Sequence, residues 1–289
     1  MIGATVVLYK PELHKVNLLI ESTINQVDFL TIIDNSPTKN IIEHVSDKVF
    51  YHHYPENVGI ASAHNLGLKE LISNGCEYVM LLDQDSSIAD DQVFRLSSLL
   101  VASKLEERPL VAIGPRIICS FSERSVKPRV QREIAKYDEL VCVTQIISSG
   151  MMIDTSKLEL VGFKDENLFI DGVDHEWCWR AKTKDYMVAI AENVEMVHRL
   201  GDARKKFAGV TYKVGSPIRL YYQFRNILLL IRRGYVPNYW KARNICVLPI
   251  RFFANSLLQE HRMARTKYML QGLWDGLFGK NGAHSDNWK

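Results

Sequence analysis

Residues 78–86 read Tyr78-Val79-Met80-Leu81-Leu82-Asp83-Gln84-Asp85-Ser86. The apolar run is too short for a helix and is typical of a buried strand. Two carboxylates, Asp83 and Asp85, follow it with one residue between them. Packing does not require acids at the end of an apolar strand, and such a pair can bind a divalent cation together with the oxygens of a diphosphate. A solvated turn that caps the next helix is the structural alternative.

The sequence before this strand alternates strands with helices. Strand-like runs occupy residues 4–9, 29–33 and 49–52, and apolar residues at helical spacing fill residues 13–25 and 60–74. This alternation predicts an α/β fold with a mostly parallel central sheet flanked by helices. Because open α/β sheets bind ligands at the carboxyl ends of their strands, we expect the loops after these strands to form one site.

Those loops carry residues suited to a nucleotide. Tyr9 follows the first strand, and Asp34 ends the second, where it can bind a base or a ribose hydroxyl or form an Asx turn. The small residues between Asn57 and Asn65, including Gly59, permit close approach of a phosphate to backbone N–H groups. A tightly packed helix start explains the same residues without a ligand.

Two downstream positions are further candidates. Asp174 begins a predicted helix among aromatic residues, where a partly buried carboxylate can act as general base. Glu176 and Arg180 have the spacing of an ion pair, so a capped helix accounts for the same stretch. His198 follows a short apolar strand and can complete a metal site or be structural.

The charge distribution divides the chain. From Arg199 onward there are 17 Lys and Arg against 4 Asp and Glu, whereas the preceding part has 19 against 29. A basic block can bind nucleic acid, an anionic membrane or a phosphorylated ligand. Long apolar helices interleave with it from Ser216, which favours the membrane. An ordinary core helix with snorkelling arginines is the alternative. We therefore predict domains at 1–215 and 216–289.

Other features complete the prediction. The 5 cysteines show no paired spacing, which favours reduced thiols and a cytoplasmic location. We expect no signal peptide and no membrane-spanning run. The polar residues 120–138 are expected to form a mobile loop, and residues 279–289 to fray.

Taken in order, the motifs resemble the inverting family 2 glycosyltransferases with the GT-A (Rossmann-like) fold, and within them a bacterial rhamnosyltransferase-like group. The resemblance covers residues 3–230 and rests on Val6-Val7-Leu8-Tyr9, Ile33-Asp34-Asn35-Ser36, Asn57-Val58-Gly59-Ile60-Ala61-x-Ala63-x-Asn65-x-Gly67, Leu82-Asp83-Gln84-Asp85-Ser86, Asp174-x-Glu176-x-x-x-Arg180 and His198-x-x-Gly201-Asp202. Each motif is modest alone, whereas their order and spacing are specific.

The resemblance implies how a nucleotide-sugar donor would bind. Tyr9 and Asp34 would contact the base and ribose. Asn57, Gly59 and Asn65 would line the diphosphate.

It also implies a chemistry. Asp83 would bind ribose or metal-linked water, Asp85 and His198 would ligate Mg²⁺ or Mn²⁺, and Arg225 would help neutralise the departing diphosphate. Asp174 would deprotonate the acceptor hydroxyl, so that a single displacement inverts the anomeric carbon. Many relatives have Glu where Val173 stands, which leaves the hydrogen bonding of Asp174 open.

The expected reaction moves one sugar, L-rhamnose from dTDP-rhamnose, to a lipid-linked saccharide at the inner face of the cytoplasmic membrane. Residues 223–226 lack the Gln-x-x-Arg-Trp motif of processive synthases, which favours single addition. Other hexosyl or galactofuranosyl donors suit the same scaffold. A nucleotidyltransferase would show a basic Gly-rich loop that this chain lacks, and a nucleic-acid-binding protein would use the basic half, whereas our prediction includes no nucleic acid. Homo-oligomerisation through the C-terminal helices stays open.

Overall fold

The computed structural model describes residues 1–43, 46–119, 131–198, 204–207, 210–213 and 216–285. The strands are β1 (Ile2–Leu8), β2 (Phe29–Asp34), β3 (Val49–His53), β4 (Tyr78–Asp83), β5 (Ser86–Ser87), β6 (Leu110–Cys119), β7 (Glu133–Tyr137), β8 (Leu140–Val143), β9 (Met151–Asp154), β10 (Met187–His198), β11 (Arg204–Phe207) and β12 (Val210–Lys213). The α-helices are α1 (Leu13–Ile24), α2 (Gly59–Ser73), α3 (Gln92–Leu105), α4 (Leu158–Val161), α5 (Val173–Lys182), α6 (Pro217–Ile231), α7 (Asn238–Leu257) and α8 (Arg262–Leu277).

The central sheet has the order β3-β2-β1-β4-β9-β6-β10-β8-β7, with β5 paired to β10. The strands from β3 to β4 are all parallel, and β6 is parallel to β10. β9 lies antiparallel between β4 and β6, and β5, β7 and β8 are also antiparallel to their neighbours. The predicted α/β class is confirmed, and the parallel arrangement holds for the half of the sheet that the strand–helix alternation covers.

Helices cover both faces of the sheet. On one face, α1 and α3 bury Leu19, Ile20 and Leu96 against β1 and β4. On the other face, Leu68 of α2 and Trp177 of α5 belong to the second core cluster. Burial on both faces explains why β1, β2 and β4 are almost uninterrupted apolar runs rather than alternating ones.

A glycine fixes where β9 begins beside β4. Gly150 has φ +75° and its N–H donates to the carbonyl of Leu81 at 2.8 Å. A Cβ at this position would lie 2.8 Å from Pro115 and 2.9 Å from Met196. The close approach and the positive φ both require glycine. The serines that precede Gly150 are thereby placed beside the end of β4.

The C-terminal helices pack on the sheet-containing part through α6. Asn226 donates to the carbonyls of Leu168, Ile170 and Asp171 at 2.7–2.9 Å. The boundary between residues 215 and 216 stays a prediction. Among the described residues, no helix is long and apolar enough to cross a membrane.

Two local expectations need correction. Of the tail expected to fray, residues 279–285 are held in place, because Gly282 donates to the carbonyl of Asn167 and His284 to the hydroxyl of Tyr222, both at 2.8 Å. Residues 286–289 lie outside the described part of the chain. Residues 133–137, within the stretch expected to be a loop, form β7 by pairing with β8. Residues 120–130 of that stretch lie outside the described residues.

Gly150→Ala should lower the free energy of unfolding by roughly 2–4 kcal/mol, because it combines overpacking with an unfavourable φ. Urea denaturation followed by circular dichroism measures the change. Gly234→Ala is the control, since nothing lies within 4 Å of its added Cβ. We expect the control to change stability by less than about 0.5 kcal/mol. Equal effects of the two substitutions would contradict this account of Gly150.

Candidate active site

The carboxyl ends of β1, β2 and β4 lie side by side. Leu8 pairs with Asp34 and Val7 pairs with Asp83, which brings the following loops to one edge of the sheet. Gln84 joins two of these loops: its Oε1 accepts from the N–H of Tyr9 at 2.7 Å, and its Nε2 donates to the Tyr9 carbonyl at 3.2 Å. The middle residue of the Asp-Gln-Asp motif therefore holds Tyr9, whose side chain is exposed.

The two predicted acidic ligands differ in their surroundings. The carboxylate of Asp83 accepts a hydrogen bond from the hydroxyl of Ser149, whereas Asp85 is exposed. Ser86 of β5 pairs with His198 of β10, so the backbone of the third predicted ligand lies close to Asp85 in the sheet register. The side chain of His198 lies outside the described part of the chain. Among the side chains that are described, no three His, Cys, Asp or Glu form a metal-binding group.

Asp34 is fully buried and holds its own loop. Its carboxylate accepts from the N–H of Ser36 at 2.9 Å, from the N–H and side chain of Asn40 at 3.1 and 2.8 Å, and from the Tyr51 hydroxyl at 2.5 Å. Burial alone would raise the pKa of Asp34, but these hydrogen bonds hold it below its usual value. The Asx-turn alternative is present in the structure, and contact with the base or ribose stays a prediction.

The start of α2 is shaped by Asn57 and Gly59. Asn57 has φ +42° and its side chain accepts from the N–H of Gly59 at 3.1 Å. Gly59 has φ +84°, and a Cβ there would lie 2.6 Å from the ring of Phe169. This packing accounts for the glycine, so a diphosphate contact by Asn57 and Gly59 is an additional role that stays predicted.

Asn65 is buried and binds a neighbouring segment. Its Oδ1 accepts from the N–H of Lys164 at 2.9 Å, and its Nδ2 donates to the Lys164 carbonyl at 2.9 Å and to Glu166 at 2.8 Å. These contacts place the backbone of Lys164. The predicted contact between Asn65 and the diphosphate is untested.

Asp174 lies at the start of α5 with both carboxylate oxygens bound. Oδ2 accepts from the N–H of Ser148 at 3.0 Å, and Oδ1 accepts from the Ser148 hydroxyl and from Lys164 Nζ, the latter at 2.8 Å. Burial would raise the pKa of Asp174, but the ammonium group of Lys164 and the Ser148 hydrogen bond hold it well below its usual range. The side chain nevertheless keeps 27% of its surface exposed. It is therefore an ionised and partly exposed carboxylate.

Arg225 lies on α6 and binds the segment that precedes α5. Its guanidinium is fully buried and donates to the carbonyls of Leu168 at 3.0 Å, Asn167 at 3.2 Å and Gly282. It thus holds the C-terminal tail against the segment that precedes α5. Its predicted action on a leaving diphosphate stays a prediction.

The model of a family described as "Glycosyl transferase family 2" matches residues 6–156, which is more than half of the chain. This chain belongs to glycosyl transferase family 2. The strand-end loops described above lie at the carboxyl ends of the strands, where open α/β sheets bind their ligands.

Two curated relatives of this family 2 enzyme are informative. It is 30% identical over 293 residues to the dTDP-rhamnosyl transferase RfbF of Shigella flexneri, covering 97% of both chains. It is 23% identical over 241 residues to the low-salt glycan biosynthesis hexosyltransferase Agl10 of Haloferax volcanii, covering 78% of this chain and 73% of the relative.

Solved structures confirm the GT-A-like fold. GalNAc-T7 with UDP, GalNAc and Mn²⁺ matches with a TM-score of 0.55 at 12% identity over 96% of this family 2 chain, which spans 56% of the GalNAc-T7 chain. S. aureus TarS 1-349 in complex with UDP-GlcNAc matches with a TM-score of 0.54 at 14% identity, covering 96% and 80% of the two chains.

Sequence reasoning missed Ser148, Ser149 and Lys164. Ser148 and Ser149 precede Gly150 and read as ordinary turn chemistry, which gives no hint of two carboxylate partners. Lys164 gives the sequence a weak signal of an ion pair, because it directly follows Gly162-Phe163. A Lys that is buried beside apolar residues seldom lacks a partner. Its partner, however, comes from another segment. The predicted Glu176–Arg180 ion pair is present at 2.8 Å.

His64 predicts a pH dependence of stability. It is fully buried, neither ring nitrogen has a partner among the described residues, and burial followed by the Lys164 charge lowers its pKa from 6.5 to about 3. Since the unfolded chain binds a proton below pH 6.5 and the folded chain does not, stability falls as pH decreases from 6.5 towards 3. The loss should be about 1 kcal/mol per pH unit.

His64→Leu should flatten this fall relative to the unsubstituted protein. Urea unfolding at pH 7, 5.5 and 4.5 measures the difference. His14→Leu, at an exposed position of α1, is the matched control and should keep the original pH dependence. Identical slopes for His64→Leu and the unsubstituted protein would show that His64 does not titrate on unfolding.

Proposed function

We propose that this enzyme is an inverting, metal-dependent rhamnosyltransferase that moves one L-rhamnose from dTDP-rhamnose to a lipid-linked saccharide. One observation carries the proposal: consecutive residues bind the two key carboxylates, Ser149 binding Asp83 and Ser148 binding Asp174. Because Ser148 and Ser149 are adjacent, they hold the proposed donor site and the proposed base close together. This arrangement suits a single displacement. The choice of dTDP-rhamnose is supported by the relative that is 30% identical over nearly the whole chain.

The donor half of the proposed site uses the strand-end loops. The exposed ring of Tyr9, which directly follows the partner of Asp34 in the sheet, is available to the nucleotide base. Asp83 and Asp85 offer the hard oxygen ligands that Mg²⁺ and Mn²⁺ prefer, and His198 would complete the set. A bound cation would supply positive charge to the oxygens of the departing diphosphate.

The acceptor half uses Asp174. The acceptor hydroxyl gives its proton to this carboxylate while its oxygen attacks the anomeric carbon from the side opposite the diphosphate. The new C–O bond forms as the bond to the diphosphate oxygen breaks, and that electron pair leaves with dTDP. Because there is one displacement, the configuration inverts.

Two substitutions should separate donor binding from transfer. Asp85→Ala should weaken Mn²⁺-dependent binding of dTDP about tenfold or more, because it removes a predicted metal ligand. Asp174→Asn should leave that affinity unchanged and lower kcat by about 10²–10⁴-fold, because it removes the base. Calorimetry with and without EDTA and a dTDP-release assay measure the two effects.

Asp90→Ala, an exposed acid in the following loop, is the control and should match the unsubstituted enzyme in both assays. Unchanged Mn²⁺-dependent affinity in Asp85→Ala would refute the metal role, and substantial turnover in Asp174→Asn would refute the base. A thermal-shift comparison of dTDP-rhamnose with UDP-N-acetylglucosamine tests the donor, since the bound sugar nucleotide stabilises the folded state. If only UDP-N-acetylglucosamine raises the melting temperature, dTDP-rhamnose is not the donor.

The acceptor proposal also has a structural basis in the C-terminal helices. Exposed apolar side chains recur at helical spacing along α7 and α8: Ile245, Ile250, Phe253, Leu257, Met263, Leu270, Trp274 and Leu277. Residues 238–285 contain 7 Lys and Arg against 2 Asp and Glu. Apolar side chains combined with positive charge suit an anionic lipid surface, where a lipid-linked acceptor would reside. We therefore propose peripheral binding at the inner face of the cell membrane.

A double variant in which Ser replaces both Phe253 and Leu257 should bind phosphatidylglycerol vesicles about tenfold or more weakly. Two large apolar side chains no longer enter the interface. Vesicle sedimentation measures this. Phe94→Ser, at a similarly exposed position on α3, is the control and should bind normally.

Equal vesicle binding by the double variant and the control would contradict the membrane proposal. If light scattering shows a dimer that only the double variant loses, α7 and α8 bind a second copy of the chain instead of lipid. Retention of duplex DNA at moderate salt would instead favour the nucleic-acid alternative.

A further inference from the structure

Lys164 is a buried ammonium group in contact with the proposed base. Its side chain is 1% exposed, and Nζ lies 2.8 Å from Asp174 Oδ1 and 2.7 Å from the hydroxyl oxygen of Ser148. Burying a charged amine costs free energy unless a partner compensates it. The three groups form a connected set in which Lys164 donates to both of the others and Ser148 donates to Asp174.

The backbone around Lys164 is held by three side chains from two helices. Asn65 of α2 binds both its N–H and its carbonyl at 2.9 Å. From α5, Trp177 Nε1 donates to the carbonyl of Gly162 at 2.9 Å, and Arg180 donates to the carbonyl of Phe163 at 2.7 Å. These hydrogen bonds fix the backbone of Lys164, so its ammonium group is held in position beside Asp174.

The contacts divide the two oxygens of Asp174 by role. An ionised carboxylate has about four lone-pair sites. Oδ1 accepts from Lys164 and from the Ser148 hydroxyl, whereas Oδ2 accepts only the N–H of Ser148 among the contacts of the described residues. Since the side chain is partly exposed, Oδ2 is the oxygen that can receive a proton from an acceptor.

The other titratable groups around Asp174 do not supply a competing positive charge. Near pH 7, His64 on α2 and His175 on α5 are neutral, because burial lowers the pKa of each below its usual value. Glu176 is bound by Arg180, and Asp171 by Arg219 at 3.0 Å. Lys164 is thus the cation that acts directly on the base within the described structure.

On the basis of the proposed function, we propose that Lys164 is a positioning residue for the catalytic base. Its ammonium group keeps Asp174 ionised and binds Oδ1 against Ser148, so that Oδ2 faces the acceptor hydroxyl. Lys164 makes the carboxylate a weaker base but fixes its charge and orientation before the acceptor arrives. The positive charge also favours release of the proton from Asp174 after transfer, which restores the base for another turnover.

Lys164→Met should move the acid limb of the pH profile of kcat/KM upward by about one pH unit or more, because burial without the ammonium group favours the protonated carboxyl. At the pH of the original midpoint the variant should lose about tenfold or more in rate relative to its own alkaline plateau. Lys164→Arg keeps the charge and should keep the original midpoint. The affinity for dTDP should be unchanged in both.

Lys157→Met is the matched control. Lys157 is another largely buried lysine, 3.4 Å from Asp154, but it lies at the opposite edge of the sheet, where Asp154 pairs with Tyr78. Its loss should not move the pH profile. If Lys164→Met does not fold, Lys164→Gln, which retains a hydrogen-bond donor without the charge, should show the same shift. An unshifted acid limb, or an equal loss at every pH, would overturn the proposal.

A readout without turnover separates this proposal from the proposed function. In ligand-free protein labelled with ¹³C-aspartate, the Cγ resonance of Asp174, assigned with Asp174→Asn, should titrate at higher pH in Lys164→Met. If the unsubstituted protein transfers no sugar, the proposed function fails, but this titration still decides the effect of Lys164. An unchanged titration would refute the proposed effect of Lys164 on Asp174.

Discussion

The site depends on the hydrogen bonds of two consecutive serines to two carboxylates. Ser149 binds Asp83 at the end of β4, and Ser148 binds Asp174 at the start of α5. Because adjacent residues of one chain cannot move far apart, these bonds fix the distance between the donor loop and the proposed base. Gly150 makes the arrangement possible, since its positive φ and its bond to Leu81 bring both serines to the strand end.

The C-terminal region supports the same site from outside. Asn226 binds the carbonyls of residues that lead into α5, and Arg233 pairs with Asp165, directly after Lys164. Tyr235 donates to the buried Glu176 at 2.6 Å. Through Asn226, helix α6 is thus part of the structure that holds the segment before the proposed base, whereas α7 and α8 expose apolar side chains together with Arg262 and Lys267. One stretch of chain thereby combines this structural role with the surface that we propose binds lipid.

The residues that could be predicted are those whose signal is local. Asp83 and Asp85 follow an apolar strand, and Glu176 and Arg180 have helical spacing, so each was visible within ten residues of sequence. Lys164 was not, because its partner Asp174 is reached through a turn and its backbone is fixed by Asn65, 99 residues earlier. Asp34 shows the opposite case: its position was predicted, but only the fold shows that four hydrogen-bond donors already surround it.

The sequence by itself determined the class of fold, the edge of the sheet at which the candidate strand-end residues lie and the family to which the chain belongs. Hydrophobic periodicity and strand-end acids are consequences of burial along the chain, so they can be read in order. Tertiary structure decided the partners of each carboxylate, the antiparallel insertion of β9 and the placement of the tail. These depend on contacts between distant segments, and the pKa of Asp174 follows from such contacts rather than from its neighbours in sequence.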